Sequence, residues 1–318
     1  FGSSPFWLKL RHRRETVGRE HAGIRADPSR AMSGEGLRAR GSAEGTAVEK
    51  QLSVIVPTYN ETENIRPLCE RLFKAVKDAG IQTELLFVDD ESAGSEETEK
   101  IVKALEKEGH AVRIHCRKKS EGRGLSSAVL LGFDSAKYKV LLCMDADLQH
   151  EPESVPAVAR PVMEGRAEFS VGSRHVAGGG LGFDWSVFRQ VVSQGATMLA
   201  WPLAKSTDPM SGFFCVRKET LARGRSTVNP IGFKIGLEIM VRCKCKTVED
   251  VGITFQERAA GESKLSAKQY KFYLMQLASL YWDKHMDLIC LVVLLIFGFF
   301  ILILTWAPHT DMLGKILR

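Results

Sequence analysis

Between residues 50 and 256 the apolar positions follow two alternating rhythms. Short runs of four or five apolar or β-branched residues recur at 52–56 (LSVIV), 85–88 (LLFV), 112–116 (VRIHC), 140–144 (VLLCM) and 169–172 (FSVG). Runs of that length, bounded by turn residues, read as buried strands. Between them the apolar residues fall at helical spacing: Ile65, Leu68, Leu72, Phe73 and Val76, then Ile101, Val102 and Leu105, then Ala128, Leu131 and Gly132. Strands alternating with helices predict βαβ units, hence an α/β fold with a mostly parallel sheet covered by helices on both faces. Beyond Gly172 the rhythm loosens. A glycine-rich loop (Gly178-Gly179-Gly180) leads to a helix around 188–199 with Arg189 and Ser193 four apart on one face. A Gly/Pro-marked turn follows at 208–214, a further helix opens at 234–238, and 248–255 reads as one strand.

The C-terminal pattern is different in kind. Residues 288–307, LICLVVLLIFGFFILILTWA, are twenty positions without a charge. At about 1.5 Å per residue they match the roughly 30 Å hydrocarbon core of a bilayer; the alternative is a buried helix of a soluble domain. Before them, Tyr270, Phe272, Tyr273, Tyr281 and Trp282 interleave with Lys264, Lys268, Lys271 and Lys284, and Trp306 sits at the far end. That predicts an amphipathic interfacial helix over 266–287, a transmembrane helix over 288–307 and a short lumenal tail over 308–318. Four lysines precede the span, whereas Lys315 and Arg318 follow it, so the positive-inside bias keeps the large domain, 50–265, cytosolic.

Composition adds little and excludes some classes. With 318 residues there is room for one large domain, and the net charge of +6 lies largely in the first forty residues. No clustered basic stripe interleaved with aromatics argues for nucleic acid. Residues 1–49 are rich in Arg, Gly, Ser and Ala without apolar periodicity, so a disordered tail is expected. They lack the apolar core of a signal peptide, the sequence does not begin with Met, and Met32 is a candidate start, so a tail-anchored topology is expected. Seven scattered cysteines read as buried thiols in a reducing compartment. Cys243-Lys-Cys245 has no second pair to complete a zinc site.

The candidate chemistry sits at strand ends. The run 140–144 stops at Asp145-Ala146-Asp147, with Gln149 two residues on. On an extended backbone these three side chains point one way, and hard oxygen ligands suit Mg²⁺ or Mn²⁺. A solvated turn with a capping aspartate is the plain alternative. The run 85–88 also ends in acids, Asp89-Asp90. Parallel strands bring both pairs to the carboxyl edge of the sheet, where ligands bind in open α/β folds, and crowded carboxylates there call for a cation or sugar hydroxyls. Arg174, Arg189, Arg258 and Lys264 come from loops or element ends, each alone more typical of a solvated charge.

Taken together, Pro57-Thr-Tyr-Asn-Glu-Thr-Glu-Asn64, Asp89-Asp90, Gly124-Leu-Ser-Ser-Ala128, Asp145-Ala-Asp-Leu-Gln-His150, Gly172-Ser-Arg174, Arg189 with Ser193, Ser211-Gly-Phe213 and Arg258…Gly261…Ser263-Lys264 resemble the polyprenyl-phosphate glycosyltransferases. Among these the chain is most similar to the branch that makes dolichyl phosphate mannose and carries its own C-terminal membrane helix. The resemblance covers about residues 50–285. It departs at Asp89-Asp-Glu-Ser-Ala-Gly-Ser-Glu96, where Asp-Asp-Gly-Ser-x-Asp-Gly-Thr is common, and at Gly122-Arg123-Gly124, where a lysine is often found near Arg123.

What the resemblance implies is a GT-A (nucleotide-diphospho-sugar transferase) Rossmann-like fold, GDP-mannose as donor and dolichyl phosphate as acceptor. The product would serve N-glycan, O-mannose and GPI-anchor synthesis. It assigns donor contacts to Pro57, Tyr59, Glu61, Val88, Asp90, Asp145, Ala146, Asp147, Arg174, Arg258 and Lys264. The acceptor phosphate falls to Arg189 and Ser193, the Mg²⁺ or Mn²⁺ to Asp145, Asp147 and Gln149, and catalysis to Asp147, Arg174, Arg189 and Lys264. It implies an inverting displacement at the endoplasmic reticulum membrane, with no accessory subunit required. A UDP-glucose-using dolichyl-phosphate glucose synthase and a non-catalytic membrane-anchored binding module stay open. A processive polysaccharide synthase would want several spans and a Gln-x-x-Arg-Trp element, which are absent from this sequence.

Overall fold

The computed structural model describes residues 48–183, 187–257 and 267–316, and of the side chains in these stretches not Lys119, residues 187–189, Ala267 or those beyond Ile303. Nearly all of the tail expected over 1–49 therefore lies outside the described residues.

Among the described residues, strands and α-helices follow in the order β1 (Gln51–Thr58), α1 (Thr62–Asp78), β2 (Gln82–Asp89), α2 (Ser95–Lys107), β3 (Val112–Cys116), α3 (Leu125–Ser135), β4 (Val140–Cys143), α4 (Val155–Met163), β5 (Phe169–Ser173), β6 (Gly180–Leu181), α5 (Val187–Ala200), β7 (Phe214–Arg217), α6 (Lys218–Gly224), α7 (Ile235–Arg242), β8 (Val248–Gly252), β9 (Thr254–Phe255) and α8 (Ala267–Ile316). Seven strands form one sheet in the order β3-β2-β1-β4-β7-β5-β8, and β6 and β9 form a small second one. β3, β2, β1 and β4 are mutually parallel, with Val54 opposite Leu85 and Ile55 opposite Cys143. β7 runs antiparallel between β4 and β5.

Period-two alternation explains how one sheet serves two cores. Ile55, Val88, Leu141 and Phe214 face one side, packed with Val129 and Phe133 of α3, Leu237 of α7 and Leu277 of α8. Val54, Val56, Phe87 and Leu142 face the other, packed with Leu68 and Leu72 of α1, Val102 of α2 and Val158 of α4. Phe214 anchors the first core, stacked on Phe169 at 5.2 Å and edge-on to Phe133 at 6.0 Å.

Several elements differ from the sequence reading. The turn expected over 208–214 ends in the strand β7, too short to show a period of its own. The single strand expected over 248–255 is broken at Ile253 into β8 and β9, which pair in different sheets. α4 was not marked by its pattern, since Pro156 and Pro161 interrupt the signal; Pro156 lies in its first turn, where no amide is needed. The boundaries expected at 287/288 and 307/308 have no counterpart in the backbone: α8 is one 50-residue helix. Its stretch Lys268–Ile303 is long and apolar enough to cross a membrane.

Candidate active site

The carboxyl ends of β1, β2 and β4 form the floor of the site. At the end of β1, Pro57 is part-buried, Tyr59 is exposed and Glu61 is nearly buried, its carboxylate accepting a 2.9 Å bond from the Asn64 amide. Asn60 adopts positive φ, and its Oδ1 accepts the backbone N–H of Ala93, tying this loop to the one after β2. Val88 has no solvent-exposed surface and belongs to the core beneath α3, so its side chain holds the sheet and does not line the cleft.

The first acid pair is engaged by the protein itself. Asp89, buried, accepts bonds from the Thr58 hydroxyl, from the Ser92 hydroxyl and N–H, and from the Ser95 hydroxyl. It acts as a brace that folds the β2–α2 loop. Asp90 accepts a 2.5 Å bond from Arg117 Nη2 and a 2.7 Å bond from the Gly124 N–H at the start of α3. Arg117 is almost wholly buried and also donates to Ser127 Oγ at 2.8 Å and to the Gly124 carbonyl at 3.1 Å. A buried arginine thus orients the one carboxylate of this pair that keeps some exposure.

The second pair lies on a turn. β4 ends at Cys143, and Leu148 has φ +59°, so Asp145, Ala146, Asp147 and Gln149 are not on an extended strand and strand alternation does not aim them. Local hydrogen bonding does. Asp147 Oδ1 accepts the Gln149 N–H at 3.1 Å, and the Gln149 amide nitrogen donates to the Gln256 carbonyl at 3.1 Å. That donation commits the nitrogen end of Gln149 to the protein and makes Oε1 the end a hard cation would take. Asp145 is held on another side: a β-carbon added at Gly212 would stand 2.9 Å from Asp145 Oδ2, so the turn before β7 needs glycine to admit that carboxylate. His150, buried between Phe213 and Phe255, brings Nδ1 within 3.6 Å of the same oxygen. Burial pushes its pKa down to about 4, against the pull of Asp147, so it is neutral at pH 7.

Arg174, at the end of β5, stacks on the Phe255 ring at 5.3 Å and forms a two-pronged pair with fully buried Asp208 at 2.7 and 2.8 Å. Burial pushes the Asp208 carboxyl up, but the Arg174 bond and charge outweigh it and hold it below the usual carboxylate range. Beside them Lys234 donates to the Met210 carbonyl at 2.8 Å. Burial lowers its pKa, while Asp145 and Asp208 act in the opposite sense. Ser193 is part-buried in α5, and Arg189 lies in the first turn of that helix, with its side chain outside the described residues. Arg258 and Lys264 lie outside the described residues altogether.

Among the described residues Asp145, Asp147 and Asp208 face Arg174 and Lys234, three negative groups against two positive, with His150 neutral. Two aspartates and a glutamine oxygen are hard ligands of the kind a divalent cation takes, together with water or phosphate oxygens. No group of three or more His, Cys, Asp or Glu is placed to hold a metal among the described residues, so a soft or imidazole-rich centre has no support there.

Sequence reasoning missed Arg117, His150, Asp208 and Lys234 as parts of this site. Arg117 carried a signal, an arginine at the end of a strand next to an acid-tipped one. Asp208 also carried one, heading an Asp-Pro turn. Lys234 carried none: a single lysine before an apolar helix reads as surface.

Known proteins resemble this chain in sequence and in fold. The family model for glycosyl transferase family 2 matches residues 53–224. The dolichol-phosphate mannosyltransferase of Saccharomyces cerevisiae is 44% identical over 238 residues, which is 73% of this chain and 87% of that protein. The protein of the same name from Pyrococcus furiosus is 40% identical over 242 residues, 74% of this chain and 66% of that one. Among solved structures, glucosyl-3-phosphoglycerate synthase of Mycobacterium tuberculosis with phosphoglyceric acid superposes with a TM-score of 0.51 at 18% identity, covering 73% of this chain and 80% of the other. That likeness shows the shared fold.

Proposed function

The chain belongs to glycosyl transferase family 2, and from that premise we propose that it transfers mannose from GDP-mannose to dolichyl phosphate, releasing GDP. The observation that carries this reading is the identity of 44% over most of a dolichol-phosphate mannosyltransferase. The site is in keeping with it.

Charge develops on the diphosphate oxygens as the bond to the sugar C1 breaks, and preorganised positive charge at that point is the largest usual catalytic term. Asp145, Asp147 and Gln149 would hold Mg²⁺ or Mn²⁺, which would supply that neutralisation to the donor diphosphate. Arg174 is fixed by Asp208 and Phe255 and presents a preorganised guanidinium at the cleft. Asp90, oriented by Arg117 and Gly124, would accept from donor hydroxyls or base N–H groups. The acceptor phosphate is already an oxyanion, so no strong general base is needed, and neutral, buried His150 does not offer one. Arg189, Ser193, Arg258 and Lys264 would hold the phosphates, as the resemblance implies.

The lipid acceptor accounts for the membrane features. Trp201 and Met198 are exposed at the C-terminal end of α5, beside the first turns of α8. The two helices are pinned together: Tyr273 and Tyr281 of α8 donate to the carbonyls of Ala196 and Leu199, and Lys284 donates to that of Pro202. This apolar shoulder would rest at the lipid surface of the endoplasmic reticulum, with the domain on the cytosolic side and α8 as a membrane anchor.

The test is a donor panel on the full chain in detergent with polyprenyl phosphate. Mannosyl transfer from GDP-mannose, abolished by EDTA and restored by Mn²⁺ or Mg²⁺, is the expected result. Transfer of glucose from UDP-glucose instead would overturn the donor assignment, and transfer undiminished by EDTA would overturn the metal site.

A further inference from the structure

The loop from Asn229 to Lys234, leading into α7, touches both halves of the cleft and the membrane-approach part of α8. On the β2 side, the Ser126 hydroxyl donates to the Gly232 carbonyl at 2.6 Å, one turn from the Gly124 N–H that holds Asp90. On the β4 side, Lys234 Nζ reaches the Met210 carbonyl, in the same turn whose Gly212 abuts Asp145. On the membrane side, Gly232 sits at φ +70° with Phe272 of α8 so close that an added β-carbon would lie 3.3 Å from that side chain. A residue other than glycine there would be strained and would press on α8.

α8 also grips this loop by hydrogen bonds. The Gln276 amide nitrogen donates to the Lys234 carbonyl at 3.1 Å and to Glu238 Oε2 at 3.0 Å. Glu238 is buried, and its other oxygen accepts from the Asn229 N–H at 3.1 Å and from Arg242 Nε at 3.0 Å. Arg242 in turn donates to Ser279 Oγ at 2.8 Å and pairs with Asp283, both on α8. A buried polar network of this kind specifies one arrangement, because breaking any member leaves its partners desolvated and unpaired. Its output is the position of the residue that opens α7.

We propose that Lys234 is a further cation of the donor-phosphate site and that Gln276, on the membrane-approach helix, is the positioning residue that sets it there. The inference rests on reading the cleft as a nucleotide-sugar site. Arg174 spends two donors on Asp208, so its charge is largely balanced within the protein. Lys234 donates to an uncharged carbonyl and keeps its net charge for what lies near Asp145. A diphosphate brought to that carboxylate with a divalent cation would meet the ammonium as well. The membrane helix would then fix the charge at the donor site through a single backbone carbonyl.

The experiment measures binding of inorganic pyrophosphate with Mn²⁺, and separately of guanosine, to the full chain in nanodiscs by calorimetry. Lys234→Met is expected to weaken pyrophosphate about tenfold, the scale of one charge-assisted contact, and to leave guanosine unchanged. Lys234→Arg is expected to retain pyrophosphate binding to within about threefold, since the charge is kept. Gln276→Leu is expected to weaken pyrophosphate about threefold, and the double variant Lys234→Met/Gln276→Leu no more than Lys234→Met alone, because coupled residues are non-additive. Pyrophosphate binding unchanged in folded Lys234→Met, additive losses in the double variant, or loss of folding in all four variants would each overturn the proposal. A wild-type chain that binds UDP in preference to GDP would refute the donor assignment while leaving the pyrophosphate result intact.

Discussion

β2 and β4 both lead into aspartates at the same edge of one sheet, and the two tips are held in different ways. At β2 the protein supplies the partners: hydroxyls and an amide for Asp89, a buried arginine and an amide for Asp90. At β4 the basic groups among the described residues are a lysine, an arginine paired with Asp208 and a histidine that burial keeps neutral. One tip is closed by hydrogen bonds from its own loop and from Arg117, and at the other three carboxylates stand with two basic side chains among the described residues. The difference lies in what holds the carboxylates, which the aspartates alone do not reveal. β1 lies between the two strands, so the pairs share an edge without being neighbours, and mutual repulsion is not what sets them apart.

The largest expected effect falls on the β4 tip. Asp147→Asn keeps the shape and the Gln149 N–H contact but removes a charge, and it is expected to lower transfer by about a thousandfold, comparable to losing a principal electrostatic element. Thermal unfolding should shift little, and Mn²⁺ should raise the melting temperature of the wild type but not of the variant. Activity within a factor of about ten of the wild type would show that the β4 tip is a brace as well.

The closed tip should respond in stability first. Arg117→Met leaves Asp90 with one amide partner and an uncompensated, part-buried charge, and it is expected to cost about 3 kcal/mol by urea denaturation. A cost below about 1 kcal/mol would mean that Asp90 relaxes to water and that the β2 tip is not closed.

The smallest effect is expected at an ion pair far from both tips, which sets the scale for ordinary surface charge. Glu168 receives two 2.8 Å bonds from Arg223, and this pairing lowers its pKa from 4.5 to about 2. A carboxylate with a depressed folded pKa stabilises the protein above its unfolded value and loses that contribution as pH falls. The stabilisation is therefore present above about 4.5 and fades toward pH 2. The pair is largely solvent-facing, so Glu168→Gln should cost less than about 1 kcal/mol at pH 7. The difference from wild type in urea titrations should vanish toward pH 2.

The sequence announces the parallel half of the fold because Val54, Ile55 and Val56, or Leu85 to Val88, are buried on both faces and leave uninterrupted apolar runs. It hides β7, since the four residues Phe214–Arg217 gain their strand character only by filling the gap between β4 and β5. The same contrast holds in the site. Asp145, Asp147 and Gln149 are visible because their spacing is dense and follows a strand, although a left-handed Leu148 and a glycine at 212, not strand alternation, place them. Asp208 and Lys234 are 63 and 89 residues from Asp145, and only the folded chain brings them to it. Nor does an Asp-Asp dipeptide reveal that Asp89 will be consumed by Thr58, Ser92 and Ser95.

The uninterrupted course of α8 carries a geometric consequence. In a helix of 50 residues with no break, azimuth is conserved from end to end. Each residue inserted between Lys284 and the apolar stretch would turn everything beyond it by about 100° and displace it by about 1.5 Å. The domain would then keep one heading and one height relative to the faces of the apolar stretch of the same helix.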